Sequence, residues 1–162
     1  MTQLSKPQND TTDREIIITR LLNAPRELVF DAFTDAEHLI NWWGPTGFTN
    51  TFLSHDVRPG GEWNFIMHGP DGTDFKNQIV YEDVVRPSYL AYQHGSGEAD
   101  DRGFYVTVTF EDVAGKTNLT MKSVFQTAEE RDMVVKEYGA IEGGNQTIDK
   151  LEAELIKMSD GR

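Results

Sequence analysis

The chain has 162 residues, the size of one domain with room for a core and a modest cavity. Its 27 acidic and 15 basic side chains leave a formal net charge of −12, which excludes electrostatic capture of nucleic-acid phosphates or of an anionic membrane. It has no cysteine, so disulfides, thiolate metal sites and cysteine nucleophiles are excluded as well.

Residues 1–13 are polar and aperiodic and lack the apolar stretch of a signal peptide, so they read as a disordered tail on a cytoplasmic protein. No apolar run approaches the roughly 20 residues that span a bilayer. The isoleucine-rich residues 15–22 predict a first strand. Pro25 suits the first turn of a helix over residues 25–33. Thr34-Asp-Ala-Glu37 has the form of a capping box and predicts a second short helix over 34–41, stopped by Trp42-Trp43-Gly44-Pro45.

A run of strands follows. Residues 48–57 are one, and Pro59-Gly60-Gly61 turns the chain. Residues 62–68 alternate, with Trp63, Phe65 and Met67 on one face. After the turn at Gly69-Pro70-Asp71-Gly72 come strands over 75–85 and 89–94, then a polar loop over 95–102. Residues 103–111 and 116–125 read as a hairpin around Ala114-Gly115.

Thr127-Ala-Glu-Glu130 is a second capping box and opens a long amphipathic helix over 127–158. Val134, Tyr138, Ile141, Ile148, Leu151 and Leu155 recur on one face at helical spacing. Gly144 and Asn145 share that face, with Gly139 and Gly143 beside it. An interior glycine costs a helix about 1 kcal/mol against alanine. Glycines placed here imply close backbone approach or empty space beneath the helix, and hence a pocket.

Consecutive hairpins make an antiparallel sheet, and its apolar face needs the helix as cover. The fold class is therefore α+β with a helix-grip arrangement. A curved seven-stranded antiparallel sheet wraps a long C-terminal helix, and two short helices after the first strand close one end. Residues 14–158 form one domain, and 159–162 form a C-terminal tail.

Several segments then match a known pattern. These are Asn23-Ala-Pro-Arg-Glu-Leu-Val-Phe30, the 34–45 segment ending Trp-Trp-Gly-Pro, Asp56-Val-Arg-Pro-Gly-Gly-Glu-Trp63, Met67-His-Gly-Pro-Asp-Gly72, Tyr81-Glu-Asp-Val-Val-Arg-Pro87 and Tyr138-Gly-Ala-Ile-Glu-Gly-Gly-Asn-Gln-Thr147. Through them the chain resembles the SRPBCC (START-like) superfamily over residues 14–157. Within it, the chain is similar to bacterial proteins related to the C-terminal domain of the heat-shock-chaperone ATPase activator. The resemblance implies a deep cavity between sheet and helix suited to a small, mostly apolar molecule. Many relatives carry Gly-Trp where this chain has Gly144-Asn145, so the resemblance implies an enlarged or more polar pocket here. The superfamily spans carriers, receptors, cyclases and chaperone co-factors, so fold alone does not choose among them.

The expected ligand wall comprises Trp63, Phe65, Met67, Tyr81, Tyr92, Met121 and Phe125, each of which ordinary core packing would also explain. Tyr81, Tyr92 or Tyr138 would orient a polar ligand group. One of Trp42 and Trp43 plugs the core and the other lines the cavity mouth, with Trp43 preferred for the mouth. His94 shares strand parity with Leu90 and Tyr92 and points inward, or else it sits at the loop edge. Glu82 is read as outward or, in the reverse register, as a buried carboxylate with a raised pKa and a candidate base, and Asp56 with Arg58 as a structural ion pair. His68 precedes a turn and is expected to be exposed. No pair of His38, His55, His68 and His94 has the spacing of a zinc site, and no cofactor fingerprint is present.

These features favour a protein that binds a small hydrophobic or amphipathic molecule without transforming it. One alternative is a cyclase- or hydrolase-like enzyme for aromatic or polyketide substrates, using His94 or a tyrosine as acid–base group. The other is a module that modulates a heat-shock chaperone ATPase. A homodimer through a sheet edge or helix face is compatible with the sequence.

Overall fold

The computed structural model describes residues 10–99 and 101–160. Strands β1 (Glu15–Leu22), β2 (Thr49–His55), β3 (Glu62–His68), β4 (Asp74–Val85), β5 (Tyr89–Gly95), β6 (Phe104–Val113) and β7 (Lys116–Val124) build one sheet. Its spatial order is β1-β7-β6-β5-β4-β3-β2, and every pairing is antiparallel. Chain neighbours pair directly except that β1 closes against β7. The gap in chain order is filled by α1 (Arg26–Thr34) and α2 (Ala36–Trp42).

The β1 sequence, Glu-Ile-Ile-Ile-Thr-Arg-Leu-Leu, suits a pleated surface because β-branched side chains pack well there. Two β-bulges bend the sheet, one at Leu53 and one at Glu82, each leaving an extra residue outside the ladder. The bulge leaves Tyr81 facing inward. Glu82 accepts a hydrogen bond from the Tyr105 hydroxyl at 2.7 Å. Ala114 and Gly115 both take positive φ, 53° and 86°, in the β6–β7 turn, the twist a two-residue hairpin requires. Arg58 and Asp56 form an exposed ion pair at 2.8 Å.

Three local expectations need correction. Pro25 is the N-cap of α1, and the helix begins at Arg26. Asp35, and not Thr34, caps α2: its carboxylate accepts from the Glu37 backbone N–H at 3.1 Å. Thr34 is the last residue of α1, and its hydroxyl donates to the Phe30 carbonyl. The long C-terminal helix is two helices, α3 (Ala128–Tyr138) and α4 (Ala140–Asp160). Gly139 separates them in the left-handed region at φ 59°, a conformation glycine adopts without Cβ strain. Thr127 caps α3 as expected, accepting from the Glu130 N–H at 3.0 Å.

The proposed tails also change. Residues 1–9 lie outside the described residues. Thr12–Arg14 form a single 3-10 turn, and Thr11 beside it is buried and donates to Glu15. At the other end α4 continues to Asp160.

Ile148, Leu151, Leu155 and Met158 of α4 are buried in the core cluster with residues of α1 and α2. Phe30, Phe33, Trp42 and Phe110 interlock there, with ring centroids 4.7–5.2 Å apart. Trp42 is fully buried, and its indole N–H donates to the Ala32 carbonyl. Glu154 is 5 % exposed and is met by His38 Nδ1 at 2.9 Å and by the Asn41 amide at 3.2 Å. This is the partnering a buried carboxylate needs. Among the described residues no helix is long and apolar enough to cross a membrane.

Candidate ligand cavity

Beyond Ile148 towards its N-terminus, α4 carries small residues, and the space between it and the sheet is not filled. A cavity of about 250 Å³ opens there. Its floor is the concave face of the sheet. Ile16 and Ile18 of β1, Met121 and Ser123 of β7, Phe104 and Val106 of β6, and Tyr92 and His94 of β5 alternate inward with strand parity. Met67 of β3 and Phe125 just after β7 complete the floor. The rim is the Trp43-Gly44-Pro45 segment, and the roof is the α3–α4 elbow, where Tyr138, Gly139, Ala140, Gly143, Gly144 and Thr147 face the space.

The glycines of the roof act for separate reasons. A Cβ on Gly144 would sit 2.2 Å from Ile18 Cδ1, so a side chain there has to displace the end of Ile18. A Cβ on Gly143 would meet Pro45 at 3.3 Å, and Gly139 makes the elbow itself. The rim segment is pinned to α4 by Lys150, whose ammonium donates to the carbonyls of Gly44, Pro45 and Phe48 at 3.1, 3.3 and 3.4 Å.

His94 is the most chemically distinct lining residue. Its ring lies among Phe104, Phe65 and Trp43 at centroid distances of 4.8, 6.0 and 6.3 Å. Burial pushes the imidazole down to about 4, against a weaker opposing pull from Asp101. It is therefore neutral at pH 7. Asn77 sets its tautomer: the Asn77 amide N–H donates to the Phe75 carbonyl at 2.9 Å, so its Oδ1 faces His94 Nε2 at 2.8 Å. Nε2 carries the proton, and Nδ1 remains as an acceptor. Tyr92 lines the cavity two residues away on the same strand face. Burial raises its phenol above the usual value, and its hydroxyl has no hydrogen-bond partner among the described residues.

Of the sequence-derived candidates, Trp43, Met67, Tyr92, His94, Met121, Phe125 and Tyr138 line this cavity. Trp63, Phe65 and Tyr81 do not line it. They face inward, but at the β2 end of the sheet, where Trp63 and Phe65 stack at 4.1 Å and Phe52 and Trp43 pack against them. The Tyr81 hydroxyl meets His55 Nε2 at 3.4 Å. Asn145 does not line it either. Gly144 faces β1, and the next helical residue turns by about 100°. This carries Asn145 to the edge, where its Oδ1 accepts from Arg20 at 3.3 Å and its amide donates to the Ile141 carbonyl. Asn145 therefore does not add polarity to the cavity lining.

Ile16, Ile18, Phe104, Val106 and Ser123 escaped the sequence reading. The signal was present, since Ser123 shares parity with Met121, and Ile16 and Ile18 alternate on β1. His68 keeps about a third of its side chain exposed and is hydrogen-bonded at the surface: its Nδ1 meets Asp74 at 2.7 Å and its Nε2 meets Thr51 Oγ1 at 2.8 Å. This Thr51-His68-Asp74 relay lies on the opposite face of the sheet from Met67 and outside the cavity.

Residues 23–155 match the family model described as Activator of Hsp90 ATPase homolog 1-like protein. The chain belongs to this family. Solved structures agree with the assignment. Protein Ms6760 from Mycobacterium smegmatis is 27% identical, with a TM-score of 0.82 over 93% of this chain and 96% of its own. A protein from Arthrobacter aurescens is 25% identical, with a TM-score of 0.81 over 93% and 90%. Protein NE0264 from Nitrosomonas europaea is 25% identical, with a TM-score of 0.80 over 93% and 98%. No curated protein matches the chain in sequence. The domain thus shares its fold with these solved relatives.

Proposed function

We propose that the protein binds and holds a small, mostly apolar molecule in the cavity beneath the N-terminal half of α4. The observation that carries this is the chemistry of the lining. In a chain of net charge −12, no Asp, Glu, Lys or Arg among the described residues lines a space of about 250 Å³. Ligand sites are mostly apolar with few convergent polar groups, and typically run from about 300 to 1,000 Å³. The volume here suits a compact ring or short chain. Native mass spectrometry of protein purified from its own host, followed by extraction, tests the reading. A species bound at unit stoichiometry and lost from a folded Met121→Trp variant supports it. A species retained equally by that variant overturns it.

An inward histidine beside a tyrosine favours a second reading, acid–base catalysis on the same class of molecule. The ionisation argues against it. An imidazole held near 4 is a weak base at pH 7, and a phenol raised by burial is a weak acid. Turnover of an aromatic polyketide that disappears in a folded His94→Ala variant would reverse the order. The family description supports a third reading, modulation of a heat-shock chaperone ATPase. An unchanged ATPase rate with the chaperone of the same cell would end it.

A further inference from the structure

Within the proposed cavity, and resting on that reading, we infer that the natural occupant is an alcohol or phenol. Its neutral hydroxyl is held between Tyr92 and His94. Both side chains project from the same face of β5, two residues and so about 7 Å apart along the strand. Both line the cavity. His94 offers Nδ1 as an acceptor, because Asn77 has taken Nε2. Tyr92 lines the same space, and its hydroxyl, which is not among the buried unpartnered atoms, has no hydrogen-bond partner among the described residues. In an otherwise apolar lining, a ligand that meets both groups gains over one that displaces their solvent without replacing its hydrogen bonds.

The complement is specific. A ligand O–H donates to His94 Nδ1 while its oxygen accepts from the Tyr92 hydroxyl. A ketone or ether accepts from Tyr92 but leaves Nδ1 unmet. A carboxylate would enter a lining without a cation and face the His94 lone pair, and an ammonium would enter one without a carboxylate. Burial keeps His94 neutral at physiological pH, so the acceptor persists there. The aromatic rings and methionines around the pair accept the apolar remainder of the molecule.

The test compares 4-ethylphenol with 4-ethyltoluene, which replaces the hydroxyl by a methyl of similar size. Affinities are measured by calorimetry on the full chain at pH 7. The phenol is expected to bind about tenfold tighter, the yield of one or two net hydrogen bonds. The preference should shrink to near unity in Tyr92→Phe and in His94→Phe, each still binding both probes. It should persist in Ser123→Ala, the other hydroxyl of the floor. Equal affinities in the unmodified protein would overturn the hydroxyl assignment and leave the cavity reading intact. A preference that survives both Tyr92→Phe and His94→Phe, or that vanishes in Ser123→Ala, would overturn the assignment to this pair. Binding of neither probe would overturn the cavity reading, and this inference with it.

Discussion

The two halves of α4 face the same sheet and do opposite things. From Ile148 onward the helix buries Leu151, Leu155 and Met158 against α1, α2 and the aromatic cluster around Phe110. Before Ile148 it presents Gly143, Gly144 and Thr147, and the space opposite them stays open. The sheet is continuous beneath both halves, so the cavity does not need a separate architectural element. It arises where helix side chains are too small to reach a floor that is itself made of large ones.

Truncations separate the halves most strongly. Leu151→Ala removes a fully buried side chain from the packed half and should cost about 3 kcal/mol in urea unfolding. Met121→Ala, on a wall that already meets open space, should cost about 1 kcal/mol. Comparable losses would mean that the cavity half is packed as tightly as the other.

The next effect is pH-dependent. An unfolded histidine takes its proton as pH falls through about 6.5, whereas folded His94 stays neutral to about 4. Between these values unfolding takes up a proton, so stability falls as pH drops through that window and is unaffected above it. The loss approaches at most roughly 3 kcal/mol near pH 4, at about 1.4 kcal/mol per unit, and water admitted to the cavity lowers it. Chemical unfolding at pH 7, 5.5 and 4.5 should show a steeper decline in the unmodified protein than in His94→Phe. Parallel curves would mean that the imidazole is hydrated and not held dry.

Smaller effects probe the rim and roof. Lys150→Met keeps the apolar stem but loses the donors to Gly44, Pro45 and Phe48, at a cost of about 1 kcal/mol given partial exposure. Backbone amides of residues 44–48 should then exchange hydrogen faster. Gly144→Ala gains about 1 kcal/mol in helix propensity, but its added Cβ would fall 2.2 Å from Ile18 Cδ1 and push that flexible end away. The net change in stability should stay within about 1 kcal/mol. Weaker 4-ethylphenol binding would show that Ile18 moved into the cavity.

Most element identities could be read from local pattern. Alternation located β3 at its observed limits, and Thr127 capped α3 as its capping box indicated. Of the two adjacent tryptophans, Trp43, preferred for the mouth, lies at the cavity rim, and Trp42 donates its indole N–H within the core. The errors share a cause. Thr34 was read as a cap because Thr and Asp are equivalent in a capping pattern, and only backbone geometry gives the role to Asp35. Gly139 sat inside a helical periodicity that runs through it, so the break had no periodic signature. Trp63 and Phe65 were correctly given to the inner face, but parity does not say which end of that face is covered.

What the sequence determined alone is the set of strands, the antiparallel order implied by short turns, the apolar face and the covering helix. These follow from interactions within a few residues: side-chain alternation, caps, and glycine or proline turns. The tertiary structure decided where the cover leaves space. Gly144 against Ile18, Lys150 on three rim carbonyls and Asn77 on His94 are contacts between segments distant in the chain. A cavity is the difference between volumes brought together by such contacts, and no local pattern encodes that difference.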